Sequence, residues 1–303
     1  MNSPGKPHMK PETPNTSVRR RGARPTQRND QAPSPRSTAN RTQSHLASLL
    51  LAALFALSPI SLSPAEAANT PDDSTRVPIL LELFTSEGCS SCPPVDELIR
   101  SMDANQPVNG AQLIVLSEHV DYWNQDGWKD IYSSSQFTER QNGYVHALNL
   151  QTAYTPQVIV DGYVELKGSN SDIEQTFAKV LKDPKISVRI ASAEIDAASQ
   201  LKAKVEASGA EKHGGTVWIA VALDHAASQV SAGENSGKHL EHVAVVEELK
   251  KIGKLDKGKP FSQDVTLKLK PGTDPKNLRV VAFVQEPNEG KVFGAASTKL
   301  TTP

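Results

Sequence analysis

The only two cysteines of the 303-residue chain, Cys89 and Cys92, constrain its fold more than any other feature. They follow a short apolar segment, Pro78–Phe84, and precede apolar residues at helical spacing, namely Val95, Leu98, Ile99 and Met102. The pattern predicts a buried strand, a turn containing glycine, a Cys-x-x-Cys motif and a helix that begins near Cys92. A loop this short gains little stability from a crosslink, so the pair indicates a redox couple or part of a metal site.

The segment after the first helix continues with alternating strand and helix signals. These are a strand at Leu113–Leu116, a helix over 137–148, strands at Gln157–Val160 and Tyr163–Lys167, and a helix over 173–181. The Asp161-Gly162 pair between the last two strands is a strong hairpin signal. Residues 77–183 are therefore predicted to form an α/β domain with a mixed sheet and the order β-α-β-α-β-β-α.

The second half of the chain has a different pattern. Short alternating segments are separated by turns rich in Gly, Lys and Pro: Leu201–Ala207, Thr216–Leu223, Val265–Leu269 and Leu278–Val284. This spacing is typical of antiparallel sheets. We therefore expect residues 185–303 to form a separate, mostly antiparallel β-sandwich domain.

The first 67 residues predict a leader. Residues 1–44 are rich in polar residues and arginine, a composition typical of disorder, and the uncharged run Leu46–Leu57 is too short to span a bilayer. Ala65 and Ala67 then match the small residues of a signal-peptide cleavage site. We expect cleavage after Ala67 and an exported protein, periplasmic or secreted, with no membrane span in its mature part. A buried helix or an uncleaved anchor is the alternative.

Charge separates the leader from the remainder. Residues 1–67 contain nine basic and three acidic side chains, whereas residues 68–303 contain 24 basic and 31 acidic ones, a net charge of −7. Nucleic-acid binding is not expected of this part, because phosphate contacts need clustered Lys and Arg. The chain also has no glycine-rich phosphate loop, dinucleotide fingerprint or Ser-His-Asp arrangement.

The position of the two cysteines indicates dithiol chemistry. A thiol at a helix N-terminus faces unpaired backbone N–H groups, which stabilise its thiolate. Cys89 is therefore predicted to be the nucleophile, more exposed than Cys92, and Cys92 the thiol that resolves a mixed disulfide. Glu87 opposes the thiolate by like charge, and the motif itself contains no basic residue.

This order of elements, with Cys-x-x-Cys after the first strand, resembles the thioredoxin fold. The resemblance implies a cis proline before the third strand, facing the cysteines, and Thr155-Pro156 occupies that place. It also implies that backbone groups of Thr155 bind an extended substrate strand. The alternative is an ordinary trans proline that opens a strand.

Longer motifs resemble the secreted family known as domain of unknown function 1223. They are residues 84–94, 119–123, 127–130, 140–141, 154–157 and 160–162, with Gly233-Glu234-Asn235, Gly237, His242 and Val245-Val246 in the second half. The resemblance covers roughly residues 77–303 and implies export and a thioredoxin-like domain. Glu87 departs from the glutamine that the resemblance leads us to expect.

Three functions remain open from the sequence. The first is an exported thiol–disulfide oxidoreductase without a cofactor, which acts with a redox partner on protein or small-molecule disulfides. The second is a copper(I) delivery protein whose ligands would be Cys89, Cys92 and His119, because soft thiolates suit that ion. The third is a binding module without turnover. The His239 and His242 pair, considered with His225, has a spacing that is poor for metal binding.

Overall fold

A computed structural model describes residues 76–208 and 214–300. The leader, its apolar run and the cleavage site after Ala67 lie outside these residues, so they stay predictions. The first half contains seven regular elements: β1 (Val77–Thr85), α1 (Pro93–Asn105), β2 (Ala111–His119), α2 (Ser135–Ala147), β3 (Gln157–Val160), β4 (Val164–Leu166) and α3 (Asn170–Val180). The predicted order of strands and helices in this half is confirmed.

The second half of the described chain is built from seven strands and one short 3₁₀ turn over Pro275–Asn277. The strands are β5 (Ser187–Ile195), β6 (Gln200–Ser208), β7 (Gly215–Gln229), β8 (His239–Leu255), β9 (Pro260–Lys268), β10 (Leu278–Gln285) and β11 (Val292–Lys299). Nearly all neighbouring strands here are antiparallel.

The predicted fold class, a thioredoxin-like α/β domain followed by a separate β-sandwich domain, is wrong. Strands of both halves form one mixed eight-stranded sheet with the order β11-β10-β7-β8-β2-β1-β3-β4. The two halves meet where β2 runs parallel to β8, with Ser117 opposite Val245. The remaining strands form a three-stranded sheet with the order β5-β6-β9.

The reason for this error is that alternation within a strand does not reveal its neighbours. Every residue of β10 is buried, as expected for a strand in the interior of a covered sheet rather than one with a solvated face. The three-stranded sheet packs on the second half of the large sheet through residues that include Leu201, Val205 and Ile219. This packing resembles a sandwich, but one of its two layers continues into the first half of the chain.

Helices cover the remainder of the large sheet. Alternate residues of β1 face opposite sides, so that Leu80 packs with Phe137 of α2, and Ile79 with Ile99 of α1. The Asp161-Gly162 hairpin is confirmed: both residues have positive φ, and β3 pairs antiparallel with β4. No helix among the described residues is both long and apolar enough to cross a bilayer.

A buried ionic group, here called the Arg140 cluster, consists of Glu82, Glu118, Arg140, Tyr144 and Gln285. Arg140 Nε donates to Glu82 Oε1 at 2.7 Å, and its Nη2 donates to Gln285 Oε1 at 3.1 Å. Because Glu82 lies on β1 and Gln285 on β10, Arg140 of α2 bridges the two halves of the chain. Such a bridge fixes how the halves meet, since a buried charge tolerates few alternative partners.

Candidate functional site

The two cysteines form a disulfide in the loop between β1 and α1. Their Cα atoms are 5.4 Å apart, and Cys92 is the residue that caps the start of α1. The helix therefore begins near the second cysteine, as predicted. Both cysteines are completely buried in this oxidised state, so the expected greater exposure of Cys89 is not seen. The intervening serines, Ser90 and Ser91, are exposed.

The start of α1 offers fewer N–H groups to a thiolate than the sequence led us to expect. Pro93 and Pro94 form the first two positions of the helix and carry no N–H. The next two N–H groups, of Val95 and Asp96, both donate to the carbonyl oxygen of Cys92 at 2.9 and 3.0 Å. Four backbone positions that could hydrogen-bond an anion in other helices are therefore without a free donor.

Thr155 and Pro156 lie against the disulfide, as the resemblance implied. Their peptide bond is cis, and the carbonyl oxygen of Thr155 is 3.7 Å from Cys89 Sγ. Ser91 Oγ is 3.3 Å from the same sulfur, and Trp123 Nε1 donates to Thr155 Oγ1 at 2.7 Å. The exposed edge of the disulfide loop is thus formed by Ser91 and Thr155, and Trp123 holds Thr155 in place.

The loop between β7 and β8 also contacts the disulfide loop. Asn235 is completely buried, and its Nδ2 donates to the carbonyl oxygens of Glu87 and Cys89 at 2.8 and 2.9 Å. The carboxylate of Glu234 accepts a hydrogen bond from the backbone N–H of Ser90 at 3.1 Å. The second half of the chain therefore builds part of the site and is not the separate domain that the sequence predicted.

A second buried ionic group, here called the His242 cluster, lies beside the disulfide loop and consists of Glu87, Asp96, His119, Asp130 and His242. His242 Nε2 is 3.6 Å from Glu87 Oε1, and its Nδ1 is 3.6 Å from Asp96 Oδ1. Both distances are slightly longer than a hydrogen bond, and neither ring nitrogen of His242 has another hydrogen-bond partner. The second oxygen of Glu87 accepts from Trp128 Nε1 at 2.8 Å.

The charges of the His242 cluster depend on each other. Burial disfavours the imidazolium, but Asp96 and Glu87 outweigh it and raise the pKa of His242 to about 9. Burial likewise opposes the charge of Glu87, yet His242 and the Trp128 hydrogen bond lower its pKa. The pKa of Asp130 is also lowered, because His119 outweighs the effect of burial. At neutral pH, His242 is therefore a cation between two acidic side chains.

His119, the proposed third copper ligand, does not form a metal site with the cysteines. Its Nδ1 is 2.7 Å from Asp130 Oδ2, and its ring packs edge-on against the ring of His242 with centroids 4.7 Å apart. Within residues 76–208 and 214–300, no group of three or more His, Cys, Asp or Glu side chains could hold a metal ion. The set Cys89, Cys92 and His119 is therefore not assembled as a metal site in this structure.

The sequence did not predict that residues of the second half lie at the disulfide loop. Asn235 is 146 residues from Cys89 along the chain, and the sequence assigned His242 to a family motif and to a weak histidine pair but not to the disulfide loop. Its proposed companions, His225 and His239, have side chains that are 72% and 59% exposed, whereas that of His242 is 1% exposed. The signal that could have found these residues is the second-half motif that contains Gly233-Glu234-Asn235 and His242.

Among solved structures, this fold is similar to that of a protein from Agrobacterium tumefaciens. The crystal structure of protein AGR_C_4864 is 27% identical, covers 75% of this chain and 96% of that one, and has a TM-score of 0.58. A domain of the outer membrane lipoprotein Omp28 from Porphyromonas gingivalis is 18% identical, covers 39% of this chain and 89% of that one, and has a TM-score of only 0.25. The second likeness is too weak to support any structural argument.

Comparison with curated proteins found no significant match. The sequence profile described as "Protein of unknown function (DUF1223)" matches residues 80–285, which is more than half of the chain and includes the disulfide loop, Thr155-Pro156, Asn235 and His242. The chain therefore belongs to the DUF1223 family.

Proposed function

We propose that this protein is an exported thiol–disulfide oxidoreductase whose reactive group is the Cys89–Cys92 pair. The observation that carries the proposal is the disulfide itself, placed between a buried strand and a helix with the Thr155 carbonyl 3.7 Å from Cys89 Sγ. Ser91 Oγ, 3.3 Å from that sulfur, can donate to it when it is a thiolate. A hydrogen bond to the charged form favours thiolate formation and therefore exchange.

The reaction exchanges two electrons between the pair and a substrate dithiol or disulfide. In the oxidised protein, a substrate thiolate attacks Cys89 Sγ, the bond between Cys89 and Cys92 breaks, and Cys92 leaves as a thiolate that takes up a proton. The second substrate thiolate then attacks the substrate sulfur bound to Cys89, which releases a substrate disulfide and a protein dithiol. Reversal of these steps reduces a substrate disulfide, and the reduction potentials of the pair and its partner set the direction.

Contacts at the exposed edge favour a protein substrate over a small thiol. Ser90, Ser91 and Tyr154 are exposed beside Thr155, and Tyr154 is 44% exposed although it is a large aromatic residue. An extended peptide could hydrogen-bond to the Thr155 backbone at this edge, which is a common mode of peptide recognition. Cellular redox partners for such a protein would be dithiol proteins of the same exported compartment.

The export component of the proposal depends on the leader. A disulfide persists in oxidising compartments and is rare in the cytosol, which agrees with a signal peptide cleaved after Ala67. Sequencing the N-terminus of the protein recovered from the extracytoplasmic fraction should yield Ala68 as its first residue. Recovered protein that still contains Leu46–Leu57 would contradict this.

Trapping of mixed disulfides tests the exchange reaction. In a Cys92→Ser variant, Cys89 can still attack a substrate disulfide, but the hydroxyl introduced at position 92 cannot release it. We expect adducts linked through Cys89 that disappear on treatment with a reductant. A Cys89→Ser variant is the matched control, because it retains one thiol but loses the proposed nucleophile.

The alternatives give different outcomes. Adducts that form through Cys92 in the Cys89→Ser variant would reverse the assignment of nucleophile and resolving thiol. The absence of adducts and of disulfide reductase activity would favour a binding module. Copper(I) binding that is lost in a His119→Ala variant, again without adducts, would favour metal delivery.

A further inference from the structure

The disulfide loop carries acidic groups on both sides. Glu87 lies two residues before Cys89, and Asp96 lies one helical turn after Cys92, where its N–H bonds to the Cys92 carbonyl. Both carboxylates are buried, and nearby negative charge disfavours a thiolate. Because Pro93 and Pro94 also remove N–H donors from the start of α1, the loop by itself is a poor environment for a reactive cysteine.

One cation compensates for these charges, and it comes from the other half of the chain. His242 of β8 inserts between Glu87 and Asp96, 3.6 Å from each carboxylate. Its side chain is 1% exposed, so water screens the interaction very little. His242 therefore connects Glu87, two residues before the Cys-x-x-Cys motif, to Asp96 in the first turn of the helix after it.

Other titratable groups lie around His242, on β2, on the loop before α2 and on α1. The neighbouring imidazole of His119 is hydrogen-bonded to Asp130, and the ring of Tyr132 lies 6.1 Å from that of His242. Burial raises the pKa of Tyr132, which keeps it neutral. On the outer side, Arg100 pairs with Glu97 and Glu241 and is therefore already neutralised.

The ring nitrogens of His242 are not held by hydrogen bonds as those of most buried histidines are. Buried imidazoles are normally held by hydrogen bonds at their ring nitrogens, but both nitrogens of His242 lack one. The facing atoms Glu87 Oε1 and Asp96 Oδ1 are also without a partner. A neutral imidazole has one donor and one acceptor nitrogen, so only the doubly protonated ring attracts both carboxylates through these 3.6 Å contacts.

We propose that His242 is a positioning residue of the redox site, whose imidazolium offsets Glu87 and Asp96 and thereby keeps the Cys89 thiol acidic enough to react. This inference rests on the proposed exchange function, since it concerns the reactivity of the same thiol. It explains why the second half of the chain is joined to the first: β8 supplies the charge, and the loop before it supplies Asn235, which holds the backbone of Glu87 and Cys89.

The test is the pH profile of Cys89 alkylation in the reduced protein. Iodoacetamide reacts with the thiolate, so the rate at Cys89, followed by peptide mapping, rises with pH around the pKa of the thiol. Removal of the cation in a His242→Gln variant should raise this midpoint by about one unit, which slows alkylation below the midpoint about tenfold. Removal of an acid in a Glu87→Gln variant should lower the midpoint.

Opposite signs distinguish charge from structure. If the substitutions merely loosened the loop, the alkylation midpoint of Cys89 would move in the same direction in His242→Gln and in Glu87→Gln. That outcome would overturn the proposal. The alkylation midpoint of the double variant should lie between the midpoints of the two single variants. His225→Gln is the matched control, because its side chain is 72% exposed, and its midpoint should equal that of the unmodified protein.

The experiment remains informative if His242→Gln does not fold. Glu87→Gln keeps His242 in place, and an unchanged or higher midpoint in that variant would also overturn the proposal. The measurement needs no substrate, so it is independent of the trapping experiment. Adducts in Cys92→Ser together with an unmoved midpoint in His242→Gln would refute the role of His242 alone. A shifted midpoint without any adducts would refute the exchange function.

Discussion

Two buried ionic groups, the Arg140 cluster and the His242 cluster, lie where the two halves of the chain meet, but they are built differently. In the Arg140 cluster, Glu82 accepts hydrogen bonds from both Arg140 and Tyr144. In the His242 cluster, the cation faces two carboxylates at 3.6 Å and donates a hydrogen bond to neither. The first arrangement is fixed by directed hydrogen bonds, whereas the second depends on the protonation of His242.

The acids of the two clusters also differ in charge. Both oxygens of Glu118 lack a hydrogen bond, and burial raises its pKa well above the usual range despite the nearby Arg140, which favours the neutral acid. Glu87, by contrast, has a lowered pKa and stays charged. The comparison shows that burial alone does not decide ionisation, because the balance of partners around each carboxyl does. The His242 cluster differs from the Arg140 cluster in lying beside the disulfide loop, where Glu87 is two residues from Cys89.

The largest effect on stability is expected from Arg140→Met. The variant leaves Glu82 buried without its cation, which should lower the free energy of unfolding by about 3 to 5 kcal/mol. Chemical denaturation with the disulfide intact measures this. Arg100→Met is the control, since that residue forms exposed ion pairs worth at most about 1 kcal/mol. Equal losses in the two variants would show that the Arg140 cluster does not hold the halves together.

The pH dependence of the unfolding free energy should reveal the contribution of protonated His242. The pKa of His242 is raised from 6.5 to about 9 on folding, so its contribution is complete below pH 6.5 and is lost as the pH rises through 9. The loss amounts to about 3 kcal/mol. The difference in unfolding free energy between the unmodified protein and His242→Gln should shrink over this range. A difference that stays constant from pH 6 to pH 10 would contradict the raised pKa.

The contact between the second half and the disulfide loop is tested by Asn235→Ala. Two buried carbonyl oxygens, of Glu87 and Cys89, lose their donor, which should cost about 2 kcal/mol of unfolding free energy. Asn277→Ala is the matched control, because Asn277 also bonds two backbone groups, those of His225, but at an exposed position. If Asn235→Ala were no more destabilising than the control, the β7–β8 loop would not support the site.

The smallest effect is expected from Glu118→Gln. Burial raises the pKa of Glu118 well above its usual range and disfavours its charged form, so replacing the carboxyl by an amide should change the unfolding free energy near pH 7 by no more than about 1 kcal/mol. Glu82→Gln is the contrasting variant, because it removes the charged acceptor of Arg140 and should be clearly more destabilising. The opposite order in thermal denaturation would show that Glu118, not Glu82, is the charged acid of the Arg140 cluster.

Local patterns in the sequence determined a large part of this structure. The apolar segment at Pro78–Phe84, the helical spacing after Cys92 and the Asp161-Gly162 hairpin were all predicted correctly, as was the order of the first seven elements. These features depend on backbone preferences and side-chain periodicity within about ten residues, which a single sequence displays directly. The pairing of Cys89 with Cys92 belongs to the same class, because the two residues are separated by only three positions.

Only the tertiary structure decided which distant segments meet. The parallel contact of Ser117 with Val245 turns two expected domains into one sheet, and strand periodicity carries no information about such a partner. The same contact brings β8 beside β2, so that His242 reaches Glu87 and Asn235 reaches Cys89, 146 residues earlier in the chain. The motif around Cys89 contains the two sulfur atoms of the disulfide but no cation. Long-range strand pairing supplies the cation. Asp96 and Glu87 outweigh the effect of burial and keep a positive charge on a histidine that would be largely neutral in water at pH 7.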